Sequence, residues 1–172
     1  KRLDARTLVT TPNSDVIYAM SYVDLGKDGP LVFEAPPNLQ GILLDFWQRP
    51  IPVDGGKFFG DVGLPGPDGG KGGKFLIVLE GTKVPEHHGT DFVITSKTNT
   101  VMIGTRILTP DPKEGQRILN AHKIHGLDKE SVIRVFEAPN NEWEGHQPRG
   151  LDYWKVVHHA IQLNPIEERD MA

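Results

Sequence analysis

Val16-Ile17-Tyr18-Ala19-Met20-Ser21-Tyr22-Val23 is rich in β-branched and aromatic residues and follows the turn-forming run Thr11-Pro12-Asn13-Ser14-Asp15, so it predicts a β-strand. The same pattern recurs along the chain. Leu31-Val32-Phe33-Glu34 follows a Gly29-Pro30 turn, and Gly41 to Arg49 sets Ile42, Leu44 and Phe46 on one face against Leu43, Asp45 and Trp47 on the other. Phe75-Leu76-Ile77-Val78-Leu79, Asp91-Phe92-Val93-Ile94-Thr95 and Asn99 to Leu108 bring the set to about six strands separated by turn signals. An antiparallel β-sandwich is the fold these segments predict.

Helical period enters late. Asp111-Pro112 reads as an N-cap with proline at the first helical position, and Ile118, Ala121 and His122 continue the pattern until Gly126. In Leu151 to Leu163, the residues Tyr153, Val156, Val157, Ala160 and Ile161 stand on one face of a helix that should pack on something. Asn140 to Gly150 has no periodicity and reads as a linker. Residues 7–139 are therefore expected to form the sandwich and residues 140–172 a linker and helical connector. Asn164-Pro165-Ile166-Glu167 resembles a capped helix start with only five residues after it, too few for a stable helix. With an opening at Lys1, this predicts a fragment of a longer protein.

Composition limits the function classes. The chain has 172 residues, 37% of them hydrophobic, which with 19 glycines is an ordinary globular share. Glycine and proline, 19 and 14 residues, together exceed the average of about 12% and favour turns and short strands. A formal charge of -4 from 19 basic and 23 acidic residues argues against nucleic-acid binding. There is no cysteine, which excludes thiolate catalysis and disulfides. No apolar run approaches the 18 or more residues of a membrane span. A soluble protein of cytoplasm or periplasm is expected, with the compartment open.

Nine glycines fall between Asp54 and Gly73. A phosphate-cradling loop is the sharp reading of such a cluster, but no Walker or dinucleotide spacing is present, and the loop leads into a strand rather than a helix. The favoured reading is a long irregular connection; the other is a loop that also lines a ligand site, with Lys71 as its charge. No cofactor is expected.

Catalytic signals are sparse. His87-His88, His122, His125 and His158-His159 lack chelating spacing, so no metal site is expected. None of the serines Ser14, Ser21, Ser96 and Ser131 stands in a nucleophile motif. Asp15, Asp45 and Arg106 are the catalytic candidates. Asp45, between Leu44 and Phe46, either faces solvent, the favoured reading, or is desolvated with a raised pKa. Asn13, Ser14 and Asp15 are expected to cap a turn through side-chain to backbone hydrogen bonds. Tyr18, Tyr22 and Trp47 line a pocket or belong to the core, and Asn13, Tyr18, Trp47 and Lys71 are the ligand-binding candidates. Arg106 is an anion partner or an edge-strand charge.

Several of these segments, in order, resemble one family. Thr11-Pro12-Asn13-Ser14-Asp15-Val16-Ile17-Tyr18, Gly29-Pro30-Leu31-Val32, Pro67-Asp68-Gly69-Gly70-Lys71-Gly72-Gly73-Lys74-Phe75-Leu76, Thr98-Asn99-Thr100-Val101 and Gly104-Thr105-Arg106 are similar to the bacterial domain of unknown function 1254. The resemblance covers Thr10 to Leu127, and Gly150 to Ala172 is similar to the connector toward a companion, domain of unknown function 1214. It implies a jelly-roll-like or immunoglobulin-like β domain in a two-domain protein that forms homo-oligomers, with that C-terminal domain as partner. No catalytic residues are implied. Asp45-Phe46-Trp47 departs from the family pattern, in which a small residue or Met follows the Asp. The leading expectation is a non-enzymatic module for assembly or ligand binding; the alternative is part of a hydrolase with its site against the companion domain.

Overall fold

The computed structural model describes residues 15–127 and 147–171. In chain order its elements are β1 (Ile17–Asp24), α1 (Leu25–Asp28), β2 (Leu31–Ala35), β3 (Leu39–Asp45), β4 (Pro52–Val53), β5 (Phe58–Phe59), β6 (Asp61–Gly63), β7 (Gly73–Leu79), β8 (Phe92–Ser96), β9 (Thr100–Ile107), α2 (Pro112–Ala121), β10 (Lys123–Gly126) and α3 (Leu151–Leu163). The strands form two sheets, one in the order β1-β9-β3-β6 and the other β10-β2-β7-β8-β4-β5. The chain is thus mainly β and sandwich-like, as the alternation predicts.

Alternating side chains decide which face of each strand is buried. In β9, Val101, Ile103, Thr105 and Ile107 point inward and are almost fully buried, while Met102, Gly104 and Arg106 point outward. Leu39 and Leu43 of β3 in one sheet meet Leu31 and Phe33 of β2, Phe75 and Ile77 of β7 and Ile94 of β8 in the other, in one core. Each such fully buried side chain is worth about 1.5–3 kcal/mol. β7 differs, since Phe75 to Val78 are all buried. Its second face carries Leu76 and Val78, which cluster with Val32 under Val84 and Leu127. A continuous apolar run is the mark of a strand covered on both sides.

Four expectations need correction. β7 and β8 pair in parallel, so the sandwich is not wholly antiparallel; residues 80–91 make the crossover, and a connection of that length is what parallel pairing requires. The strand expected over Gly41 to Arg49 stops at Asp45, where the carbonyl of Asp45 accepts a hydrogen bond from the Gln48 N–H at 3.0 Å and Gln48 takes φ 60°. The helix expected to run to Gly126 ends at Ala121, and β10 follows at once. Asn164 does not open a helix. It closes α3 as its C-cap.

Part of the glycine segment is sheet: β5 and β6 lie within it. Gly63 shows why glycine is needed, because at φ 76° a Cβ would stand 2.2 Å from the Leu39 carbonyl oxygen. The loop is tied by Asp68, a buried carboxylate that accepts hydrogen bonds from Gly63 N–H at 2.7 Å and Gly72 N–H at 3.1 Å. The linker expected over residues 140–150 lies mostly outside the described residues. None of the residues of α3 is buried, so no element among the described residues gives its apolar face the cover that its periodicity anticipates.

Candidate functional site

The outer face of the β1-β9-β3-β6 sheet is the chemically distinctive surface. Its register sets Tyr18 opposite Arg106 and Met20 opposite Gly104. On the other side of β9, Gln40 pairs with Arg106 and Ile42 with Gly104, and Ile42 pairs onward with Asp61. Glycine at the centre leaves a hollow among these side chains. Met20, Ile42 and Met102 wall it, and its volume is about 380 Å³, within the range of roughly 300–1,000 Å³ usual for ligand sites. Met20 and Tyr22 are 54% and 63% exposed, so no other described element covers this face.

The polar groups sit at its margins. The Arg106 guanidinium lies 5.5 Å from the centroid of the Tyr18 ring, a cation–π distance. Among the described residues it has no carboxylate partner. Asp61 faces the hollow two strands away, and its Oδ2 accepts a hydrogen bond from the Phe59 N–H at 3.1 Å. The groove is therefore dipolar, with a cation at one end and a carboxylate at the other. No group of three or more histidine and acidic side chains able to hold a metal occurs among the described residues.

The structure unites only some of the sequence candidates. Tyr18 and Arg106 meet in the groove, and both alternatives offered for them need amending: Tyr18 is not core, and Arg106 is on β9, an inner strand of its sheet rather than an edge. Asp15 lies exposed just before β1. Ile17 pairs with Ile107, whereas Asp45 pairs with Val101, so about 20 Å of strand separates the two aspartates. They do not converge. Lys71 is exposed in the loop tied by Asp68, and Asn13 and Ser14 lie outside the described residues.

Asp45 does not face solvent; it is 8% exposed. The inward row of β3 ends on it, and burial is tolerated because Arg49 supplies the counter-charge. Asp45 Oδ1 accepts from the Arg49 backbone N–H and Oδ2 from Arg49 Nε, both at 2.9 Å. The guanidinium continues to Asp170 at 2.9 Å and Glu167 at 3.4 Å, and Lys97 reaches Glu167 at 3.1 Å. Trp47 stands apart from the groove: its indole N–H donates to the Pro165 carbonyl at 3.4 Å. Asn164, 1% exposed, accepts from the Thr100 N–H at 2.9 Å, and Asn99 donates to the Leu163 carbonyl. Together these contacts fasten the segment after α3 to one end of the sandwich.

His122 is likewise structural. Its Nδ1–H donates to the Ile118 carbonyl, which can only accept, and its Nε2 then accepts from Thr105 Oγ, each at 2.9 Å. Burial pulls its pKa below the ordinary value, against opposing hydrogen bonds from the Ile118 and Leu119 backbone. Sequence reasoning missed Gln40, Asp61 and Gly104 as groove residues. The alternation of Gln40, Ile42 and Leu44 and of Met102, Gly104 and Arg106 was the available signal, but it needed the register to join the two strands.

The fold has a solved counterpart. The chain is similar to the VPA0106 protein from Vibrio parahaemolyticus, a structural genomics target, with 17% identity and a TM-score of 0.54. That likeness covers 91% of this chain and 38% of the Vibrio protein, so this chain spans less than half of its length. No curated protein matches the sequence. No helix among the described residues is long and apolar enough to cross a membrane. The family described as Protein of unknown function (DUF1254) matches residues 1–128, the part of the chain that holds both sheets, and this protein belongs to it.

Proposed function

We propose that this is a non-catalytic β-sandwich binding module of a larger bacterial protein, with its recognition site in the groove over Gly104. The observation that carries this reading is the combination on one sheet face of an apolar hollow, uncovered by any other described element, with Arg106 and Asp61 at its margins. A purely structural sheet face would be covered or polar. Titration with cyclohexanol, followed by ¹H–¹⁵N spectra, tests it. Shifts centred on Met20, Ile42 and Gly104 and abolished by Gly104→Leu are expected; shifts that ignore this substitution refute the site.

The expected partners belong to the same proposal. In it, residues 7–139 form the module and residues 140–172 a linker and connector to a companion domain of the 1214 type, and the intact protein is a homo-oligomer. Support comes from α3, which exposes Trp154 and Val156 by 65% and 54% and is held to the sandwich through Asn164. Light scattering of the intact protein is expected to give a multimer; a strict monomer removes the assembly part. A hydrolase would need Asp15 and Asp45 to meet, and the strand register keeps them apart, so the binding reading is favoured.

A further inference from the structure

We infer that the groove takes a small zwitterion: a carboxylate at Arg106, an ammonium at Asp61 and an aliphatic body between them. This rests on the binding reading above and names its ligand class.

The argument begins with the register. Arg106 and Gly63 flank Gln40 in one cross-strand row, while Gly104 and Asp61 flank Ile42 in the next outward-facing row. Arg106 and Asp61 are thus two strands apart and two residues out of step, which places their Cα atoms about 12 Å from each other. Gly104 and Ile42 lie between them, with Met20 and Met102 as walls. A ligand spanning this path meets a cation, then methyl and thioether groups, then a carboxylate.

Each group has spare capacity for a ligand. Arg106 presents a planar donor fork suited to bidentate carboxylate binding, and the Tyr18 ring steadies it without using those donors. The amide of Gln40, in register beside it, adds a neutral hydrogen-bonding group at the same end. Asp61 uses Oδ2 for Phe59 N–H, and its Oδ1 has no hydrogen bond or ion pair among the described residues. Discrimination follows from Asp61. A diacid would bring a second carboxylate against it, and like charges brought together repel. A simple fatty acid would leave the Asp61 carboxylate facing a methyl group, with its water displaced and nothing in return.

Three probes with a common six-carbon chain separate these cases: ε-aminocaproate, caproate and adipate. Binding is measured by ¹H–¹⁵N titration of the protein at low salt, where such charges are least screened. The expected order is ε-aminocaproate tightest and adipate weakest, at least tenfold apart, with the shifts centred on Gly104. Arg106→Met should weaken ε-aminocaproate at least tenfold, and Asp61→Asn should bring ε-aminocaproate and adipate within about threefold of each other. Adipate binding as well as ε-aminocaproate, or a preference that survives Asp61→Asn, overturns the inference. If cyclohexanol shifts the groove and none of the three acids does, the ligand class fails while the groove stands. If cyclohexanol also leaves the groove unchanged, both readings fail.

Discussion

Asp45→Ala separates a structural from a catalytic role for the most buried of the sequence candidates. The substitution removes the acceptor of the Arg49 N–H and the partner of Arg49 Nε, each held at 2.9 Å. Hydrogen bonds to a charged group contribute about 1.5–3 kcal/mol each, and removing one member of a buried pair costs more than the pair itself contributes. Two features reduce the sum: Arg49 is 22% exposed and keeps its ion pair with Asp170, and water can reach the vacated space. About 3 kcal/mol is the expected loss. With an m-value near 2 kcal/mol/M, the urea midpoint falls by about 1.5 M at unchanged slope. Asp45→Asn retains an acceptor for the N–H and should lose about half as much. Crossing Asp45→Ala with Arg49→Met should give a coupling energy of about 1.5 kcal/mol, because the two side chains are in contact. An Asp45→Ala midpoint within about 0.3 M of the parent would refute the reasoning.

Asn164→Ala leaves the Thr100 N–H without its acceptor and should cost about 1–3 kcal/mol; faster hydrogen exchange at Thr100, with β3 amides unchanged, checks it. Gly63→Ala drives a Cβ to 2.2 Å from the Leu39 carbonyl at φ 76°, so a loss above about 2 kcal/mol is expected, read from its urea midpoint. His122 makes stability depend on pH. Its folded pKa lies below the 6.5 of the unfolded chain, so between the two values the unfolded state binds more protons. Stability therefore falls as pH drops through about 6.5 and levels off below the folded pKa. His122→Gln should flatten this part of the profile in urea titrations. Glu34 acts lower: burial alone would raise its pKa, but the His125 hydrogen bond with Lys123 and Lys74 brings it below 4.5, so its contribution is lost only as pH falls further.

How much of this was legible depended on the range of each interaction. The long strands were legible because alternation is local: Val101, Ile103, Thr105 and Ile107 point inward by period alone, and the outward set follows. Helix α3 was legible to the residue, because its period runs through Leu151–Leu163. β4, β5 and β10 were not, since two to four residues show no period and their pairing is decided by distant partners. The parallel direction of β8 was hidden for the same reason. Asp45 was misplaced because its burial depends on Arg49, Glu167 and Asp170, two of them more than a hundred residues away. Asn164 has the composition of a helix start, yet its carboxamide is taken by Thr100 N–H and the Ala160 carbonyl, so tertiary hydrogen bonds overrode a local signal. Half of the groove followed from Tyr18 and Arg106; the other half needed β3 and β6 beside β9.

Gly104 gives the strongest reason to regard that groove as selected for its shape. Other glycines of the sheet are required by their neighbours: a Cβ on Gly41 would lie 2.8 Å from Thr105 Cγ2, and one on Gly63 would strike the Leu39 carbonyl. At Gly104 the nearest atom is the mobile tip of Met102 at 3.4 Å, and the backbone φ is not in the left-handed region. Among the described residues nothing in the backbone or the packing demands glycine there, and glycine within a strand costs roughly 0.5–1 kcal/mol relative to alanine. Valine, with its higher strand propensity, should hold or raise the unfolding free energy by up to about 1 kcal/mol, read from the urea midpoint. It should also fill the hollow over Ile42 and abolish ligand shifts. Stability gained as binding is lost is the pattern of a site kept open at the expense of the fold. A Gly104→Val protein that is destabilised by more than about 1 kcal/mol would show instead that glycine serves packing, and the groove would lose its best argument.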